Sequence, residues 1–387
     1  MKDKNLVFNI FIVLLFLLPN NSIFYLINIL MLFFLIKSNI LNVLVNQNFK
    51  FLLIFVGIFS FLFNINSIGI DFKDLMIFVN IILLIILFPY FNHHNNNYNI
   101  KPQTLYFIYF VILFSQLSFM LNIPIINNVI KSIYWNNESD KDFDFFVGIG
   151  RNGGLFFNPN QASKYLTLLL VLVIYLKNKY KYFIVLLIIL SILLTGSRTG
   201  FIITSIILSI HVFYELKNIK IGFLALLTAM YIILFKLPDD NRSLKVNETG
   251  SFDYKVNVLV DYINKITYND EFKSLLFGNF SSNHEYISNK FHLDKKYIFG
   301  FDAEIGYIIS FFGLIFFTIL ITYFIKIFCS KNIRNNILII VPFTFWILTS
   351  TILFSFKTSI LYMVVLGYLF SKNKQNNATK NIQLQRR

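Results

Sequence analysis

The chain has 387 residues, 56% of them hydrophobic and 14% charged, with 48 Phe and 21 Tyr. Soluble globular chains carry about 25% charged residues, so this composition excludes a water-soluble enzyme, a nucleic-acid binder and a disordered tail protein. The formal net charge of +15 does not imply a nucleic-acid partner, because most cations stand in short gaps between apolar runs, where they act as topology signals.

A bilayer span needs about 20 mostly apolar residues. Twelve candidate runs lie near 5–18, 22–36, 49–65, 75–91, 104–121, 162–176, 182–196, 200–214, 221–235, 303–328, 337–350 and 352–370. The expected fold is therefore an all-α integral membrane protein with about 12 transmembrane helices. The first run follows Met1-Lys2-Asp3-Lys4 and resembles a signal-peptide core. It lacks a small-residue cleavage site and a second apolar run follows at once, so it reads as a retained span.

The organisation divides into helices 1–5 over 1–121, a long loop over 122–161 and helices 6–9 over 162–235. A second long loop covers 236–302, helices 10–12 cover 303–370, and a tail covers 371–387. With the N-terminus in the cytoplasm, 18 Lys and Arg residues fall in inside segments. Only Lys73, Arg198 and Lys357 fall in short outside loops, and most of the rest fall in the two long ones. This bias predicts cytoplasmic termini and extracytoplasmic long loops.

In the second long loop Val256, Leu259, Val260 and Ile263 fall at i, i+3, i+4 and i+7, which predicts an amphipathic helix lying on the membrane surface or on the bundle. Loops of this length in a compact protein are usually functional or disordered; their aromatic and apolar content favours ordered and functional. The stretch from Asn92 to Asn99, with His93 and His94, reads as a polar cytoplasmic loop. The single cysteine, Cys329, excludes an intramolecular disulfide. No Cys and His spacing suits a metal, and no cofactor is expected.

Three clusters carry candidate chemistry. The first runs from Gly150-Arg151-Asn152-Gly153-Gly154 to Asn158-Pro159-Asn160-Gln161-Ala162. Asn158 suits an N-cap with Pro159 at the first helical position. A helix N-terminus beside a permanently charged guanidinium suits an anion, although a capped helix after a flexible loop has the same sequence.

The second cluster is Thr195-Gly196-Ser197-Arg198-Thr199-Gly200, between the seventh and eighth runs. Arg198 reads either as a snorkelling anchor or as a cation facing a wet cavity.

The third includes His284 and Glu285, then Phe301-Asp302-Ala303-Glu304 entering the tenth run. Asp302 and Glu304 suit the positive end of a helix dipole; the functional reading makes a carboxylate, or His284, a general base toward a hydroxyl. Lys357 and His211 are further polar residues inside apolar runs.

By topology all three clusters share the outer face, where arginines and carboxylates fit a lipid diphosphate and an acceptor hydroxyl. At these residues the chain resembles the O-antigen polymerase and ligase superfamily of bacterial inner-membrane proteins. Gly150-Arg151 to Phe157-Asn158-Pro159-Asn160 looks like the family's glycine-and-asparagine motif, and Ser197-Arg198-Thr199-Gly200 like its serine-arginine motif. Asp302, eleven residues before Gly313, occupies the position at which ligases carry a histidine, a departure that looks more like the repeat-unit polymerases. The similarity spans roughly 140–315.

The resemblance implies a GT-C-like, metal-independent inverting glycosyltransferase. It would join undecaprenyl-diphosphate-linked oligosaccharide repeat units into O-antigen or capsular polysaccharide at the outer face of the cytoplasmic membrane. Membrane lipid and a chain-length regulator protein would be its partners, with no nucleic acid. Arg151 and Arg198 would bind the diphosphate and Asp302 would be the base. Asn158, Asn160, Ser197, His284 and Glu304 would contact substrate. Three readings compete: a ligase transferring glycan to lipid A core, a polysaccharide flippase, and a lipid-scaffolding membrane protein.

Overall fold

The computed structural model describes residues 2–19, 48–64, 72–93, 98–135, 151–156, 158–175, 180–216, 259–264, 272–280, 304–328, 333–349 and 356–385, with Ile27, Leu30 and Asn257. Among the described residues the chain is helical, with no strand. The helices are α1 (Lys2–Leu17), α2 (Asn48–Asn64), α3 (Phe72–His93), α4 (Pro102–Met120), α5 (Pro124–Tyr134) and α6 (Pro159–Tyr175). They continue as α7 (Lys181–Leu194), α8 (Arg198–Leu216), α9 (Phe272–Phe277), α10 (Glu304–Phe328), α11 (Ile333–Thr349) and α12 (Phe356–Gln385).

Ten of the expected apolar runs appear as helices. The runs near 22–36 and 221–235 lie outside the described residues, apart from Ile27 and Leu30. Two helices, α5 and α9, instead fall inside the long loops. The last helix also runs past 370 through most of the expected tail, to Gln385. By length and composition, α4 and residues 305–326 of α10 can each cross a bilayer, and shorter apolar stretches lie in α1, α2, α3, α7, α8 and α11 among the described residues.

The helix ends sort into two levels. At one end the Asn9 amide donates to Asn99 O (2.9 Å) and its Oδ1 accepts from Lys101 N (2.9 Å), which ties the start of α1 to the start of α4. Tyr368 Oη, in α12, accepts from Ile100 N at the same level. At the other end lie the last turns of α1, α2, α4 and α7 and the first turns of α6, α8 and α12. There Lys357 Nζ donates to the carbonyls of Phe16 and Leu18, and Ser163 Oγ meets Thr195 Oγ1 (2.7 Å). The contacts thus give α1 and α12 opposite directions. The beginning of α1 and residue 368 of α12 share one end.

The interior is α6 and α12. Ala162 to Ile174 and Lys357 to Ser371 are buried without interruption. Trp346 Nε1 of α11 donates to Thr167 Oγ1 (3.0 Å), and Tyr362 Oη of α12 donates to Lys164 O (3.0 Å). Polar side chains such as Gln116, Ser191 and Thr204 are buried, whereas Phe55, Phe107, Phe110, Phe114, Phe183 and Leu186 are exposed.

The end of the second long loop enters this bundle. Gly313 has φ 85° and ψ 171°, which interrupts α10 in a region essentially reserved for glycine. Interrupting a helix strands carbonyls that need new donors. Here Asn279 N donates to Ser310 O and Phe280 N to Phe311 O, both at 2.9 Å. Phe280, fully buried, sits among the rings of Phe61, Phe78, Phe311 and Phe312, with centroids 4.7–5.8 Å away.

Tyr262 is the fully buried residue of the helical stretch 259–264, and its Oη accepts from the Asn279 amide (2.9 Å). Of the expected apolar stripe, Leu259 and Ile263 are half-buried and Val260 is exposed, and Val256 lies outside the described residues. The phenol is favoured inward because it satisfies Asn279, a demand invisible to apolar periodicity.

Candidate functional site

Asn158 stands just before α6, and its Oδ1 accepts from Asn160 N (2.8 Å). With Pro159 opening the helix, this is the N-cap geometry expected for the segment. Ser197 plays the same part for α8. Its Oγ accepts from Gly200 N (3.2 Å) and its carbonyl accepts from Phe201 N (3.0 Å). The starts of α6 and α8 are pinned side by side by the contact between Ser163 and Thr195 and by the close approach of Gly200 to Ser163. A Cβ at Gly200 would lie 2.7 Å from Ser163 Oγ.

Asn160 joins the two clusters. Its Oδ1 accepts from Arg151 Nη2 (3.0 Å) and from Ser197 Oγ (2.9 Å). Two donors on one oxygen fix the orientation of the amide. Asn158 and Asn160 are exposed, Arg151 is half-buried, and Thr195 and Ser197 are buried. The cluster has an open face and a buried floor. Gly196, at φ +60°, lets the turn pass against the arginine stem: a Cβ there would lie 2.9 Å from Arg151 Cγ.

The loop carrying Arg151 is held from behind by α4. Asn152 Nδ2 donates to Gln116 O (2.6 Å), Gln116 Nε2 donates to Ser191 O (3.1 Å), and Asn152 N donates to Leu194 O (3.1 Å). Leu155 N donates to Ser115 Oγ (2.9 Å). Ser115 and Gln116 were not singled out in the sequence; the signal for them is a polar pair inside an otherwise apolar helix. Further along, Phe156 stacks on Tyr165 (4.4 Å). Lys357 Nζ lies 5.4 Å from the first ring and 5.0 Å from the second. That buried lysine therefore contacts the same loop.

No known protein family, curated protein or solved structure matches the chain.

Of the residues expected at a site, the structure brings Arg151, Asn158, Asn160 and Ser197 together. Arg198 is the first residue of α8, directly after the capping serine. Glu304 is the first residue of α10, a helix that packs chiefly on α2, α9 and α11. α11 in turn packs on α6 and α8, so it stands between Glu304's helix and the asparagine cluster. Asp302 and His284 lie outside the described residues. His211 is buried well along α8, away from its capped start.

Chemically, the cluster sets a planar, permanently charged guanidinium beside the positive ends of two helix dipoles. A group of this kind is chemically suited to an anion such as phosphate, whose oxygens match the guanidinium fork.

Proposed function

We propose that this chain is a multi-span membrane glycosyltransferase that extends a polysaccharide from undecaprenyl-diphosphate-linked repeat units, with the Arg151–Asn160–Ser197 cluster as its diphosphate site. The observation that carries the reading is the convergence of Arg151 and Ser197 on one amide oxygen, which places a cation between two helix starts. The exposed apolar surface supports a lipid setting: large side chains such as Phe55, Phe107, Phe110, Phe114 and Phe183 face outward.

In the reaction, an acceptor sugar hydroxyl attacks the anomeric carbon of the donor chain. The bond to the diphosphate oxygen breaks, a new glycosidic bond forms with inversion, and undecaprenyl diphosphate leaves. Arg151 and Arg198 offset the charge that grows on the leaving diphosphate. Asp302 takes the acceptor's proton, a role typically worth about 10²–10⁴ in rate. Metal is not required in this scheme, because guanidinium groups do the electrostatic work. The cytoplasmic membrane of a bacterium, with the site on the outer face and both termini inside, is the matching location.

The test is chain extension by the purified protein in nanodiscs supplied with lipid-linked repeat units. A ladder of products is expected for the native chain, and none for Arg151→Ala or Arg198→Ala. Asp302→Asn should remove most extension and His284→Ala should retain part of it. Glycan transfer to lipid A core without chain extension would replace the polymerase by a ligase. Loss in His284→Ala alone would move the base to the histidine.

A further inference from the structure

α5 meets three environments. Asn127 and Ile130 are buried against the rest of the chain, and Asn128 and Ser132 are exposed on one flank. On the other flank Ile125, Val129 and Ile133 are 79%, 52% and 46% exposed. Their spacing, i, i+4 and i+8, makes one continuous stripe along the helix. Apolar side chains stranded in this way mark a surface that meets a partner.

The stripe continues an apolar face of α4. Phe107, Phe110, Phe114 and Leu117 are all exposed, and their spacing puts them on one side of a helix long and apolar enough to cross a bilayer. Met120 and Leu121, 65% and 68% exposed, carry that face to the turn. Ile123 N then donates to Ser118 O (2.9 Å), which starts α5 in a new direction. At its far end, Trp135 stacks on Phe119, with centroids 4.9 Å apart and an interplanar angle of 13°. α5 is therefore turned back over the last turn of α4 instead of extending it as a rod.

We propose that α5 is an interfacial helix. It lies in the leaflet at the C-terminal end of α4, with Ile125, Val129 and Ile133 among the acyl chains and Asn128 and Ser132 at the headgroups. The partner is the lipid surface itself. The exposed stripe adjoins the lipid-facing side of a spanning helix, and the exposed Asn128 and Ser132 beside it supply the polar face that an in-plane helix turns to the headgroups. The inference rests on the membrane reading above but not on glycosyl transfer. It also gives the leaflet a mechanical link to the site: Trp135 Nε1 donates to Leu155 O (3.4 Å), four residues after Arg151. Seating α5 fixes the height of the Arg151 loop above the lipid headgroups.

The experiment places single cysteines in the full chain in nanodiscs, on a Cys329→Ser background, at Ile125, Val129, Ile133, Asn128, Ser132 and, on α4, Phe114. Each is labelled with an environment-sensitive fluorophore. Doxyl groups on lipid acyl chains should quench the labels at 125, 129 and 133 several-fold more than those at 128 and 132. Aqueous iodide should show the opposite order. Iodide quenching of the stripe with lipid quenching at Phe114 would show that α5 faces water and would overturn the proposal alone. Protection of the stripe from both quenchers would assign it to a second copy of the chain and overturn it equally. Iodide quenching at Phe114 would remove the membrane reading and the proposal together.

Discussion

Gly278 and Gly313 exclude each other's side chains. A Cβ on Gly278 would lie 2.6 Å from Gly313 N, and a Cβ on Gly313 would lie 2.6 Å from Gly278 N. Both have positive φ, 76° and 85°. The approach lets the carbonyls freed by the break in α10 find donors in the incoming loop. Irregular backbone is tolerated at membrane depth only when the protein itself satisfies it.

Gly313→Ala and Gly278→Ala should therefore each cost more than the roughly 1–3 kcal/mol of backbone strain alone, since the neighbouring backbone must also move. Thermal unfolding in detergent should show a lowered midpoint for both variants. A native midpoint in either would show that the loop and the broken helix are not held together in this way.

Asn160→Ala removes the acceptor shared by Arg151 and Ser197. A hydrogen bond to a charged group contributes about 1.5–3 kcal/mol, so extension should fall roughly 10–100-fold, at 1.36 kcal/mol per decade. Protein level in the membrane should be unchanged, because Asn160 is exposed. Asn160→Asp should also fail, because a carboxylate would neutralise Arg151 and compete with the diphosphate. Activity of the aspartate variant equal to the native chain would remove the guanidinium from the binding step.

Lys357→Met leaves two carbonyls of the last turn of α1 short of a donor, Phe16 O and Leu18 O. Stranding buried polar groups costs about 1–3 kcal/mol each. The expected result is a lower unfolding midpoint in detergent, partly restored in Lys357→Arg, which keeps the donors and the charge over Phe156 and Tyr165. An unchanged midpoint for the methionine variant would make these contacts incidental.

The charge bias yields a topology test. A reporter active only outside the cytoplasm should be active when fused after Lys273 and silent after Lys179. The reverse pattern would turn the whole molecule over and put the Asn160 cluster on the cytoplasmic side.

Where helices lie was largely legible in the sequence, since an apolar run of this length has few alternatives. The Asn158-Pro159 and Ser197 starts were legible too, because capping is a local code. How the helices face one another was not. A helix such as α4 is apolar nearly all round, so periodicity does not say that Ser115 and Gln116 point inward. The bond from Arg151 to Asn160 joins residues near in sequence, but the bond from Ser197 crosses 37 positions. Lys357 was recognisable as a polar residue in an apolar run; its acceptors, backbone atoms of the first helix, carry no side-chain signature.

The contact between Lys357 and Leu18 spans 339 positions. At a synthesis rate of roughly 5–20 residues per second, α1 waits on the order of 20–70 s for the lysine that satisfies its final carbonyls. During that interval its last turn depends on water, lipid headgroups or the insertion machinery. The bundle cannot close behind the ribosome one helix at a time; α1 reaches its final seat only when α12 arrives.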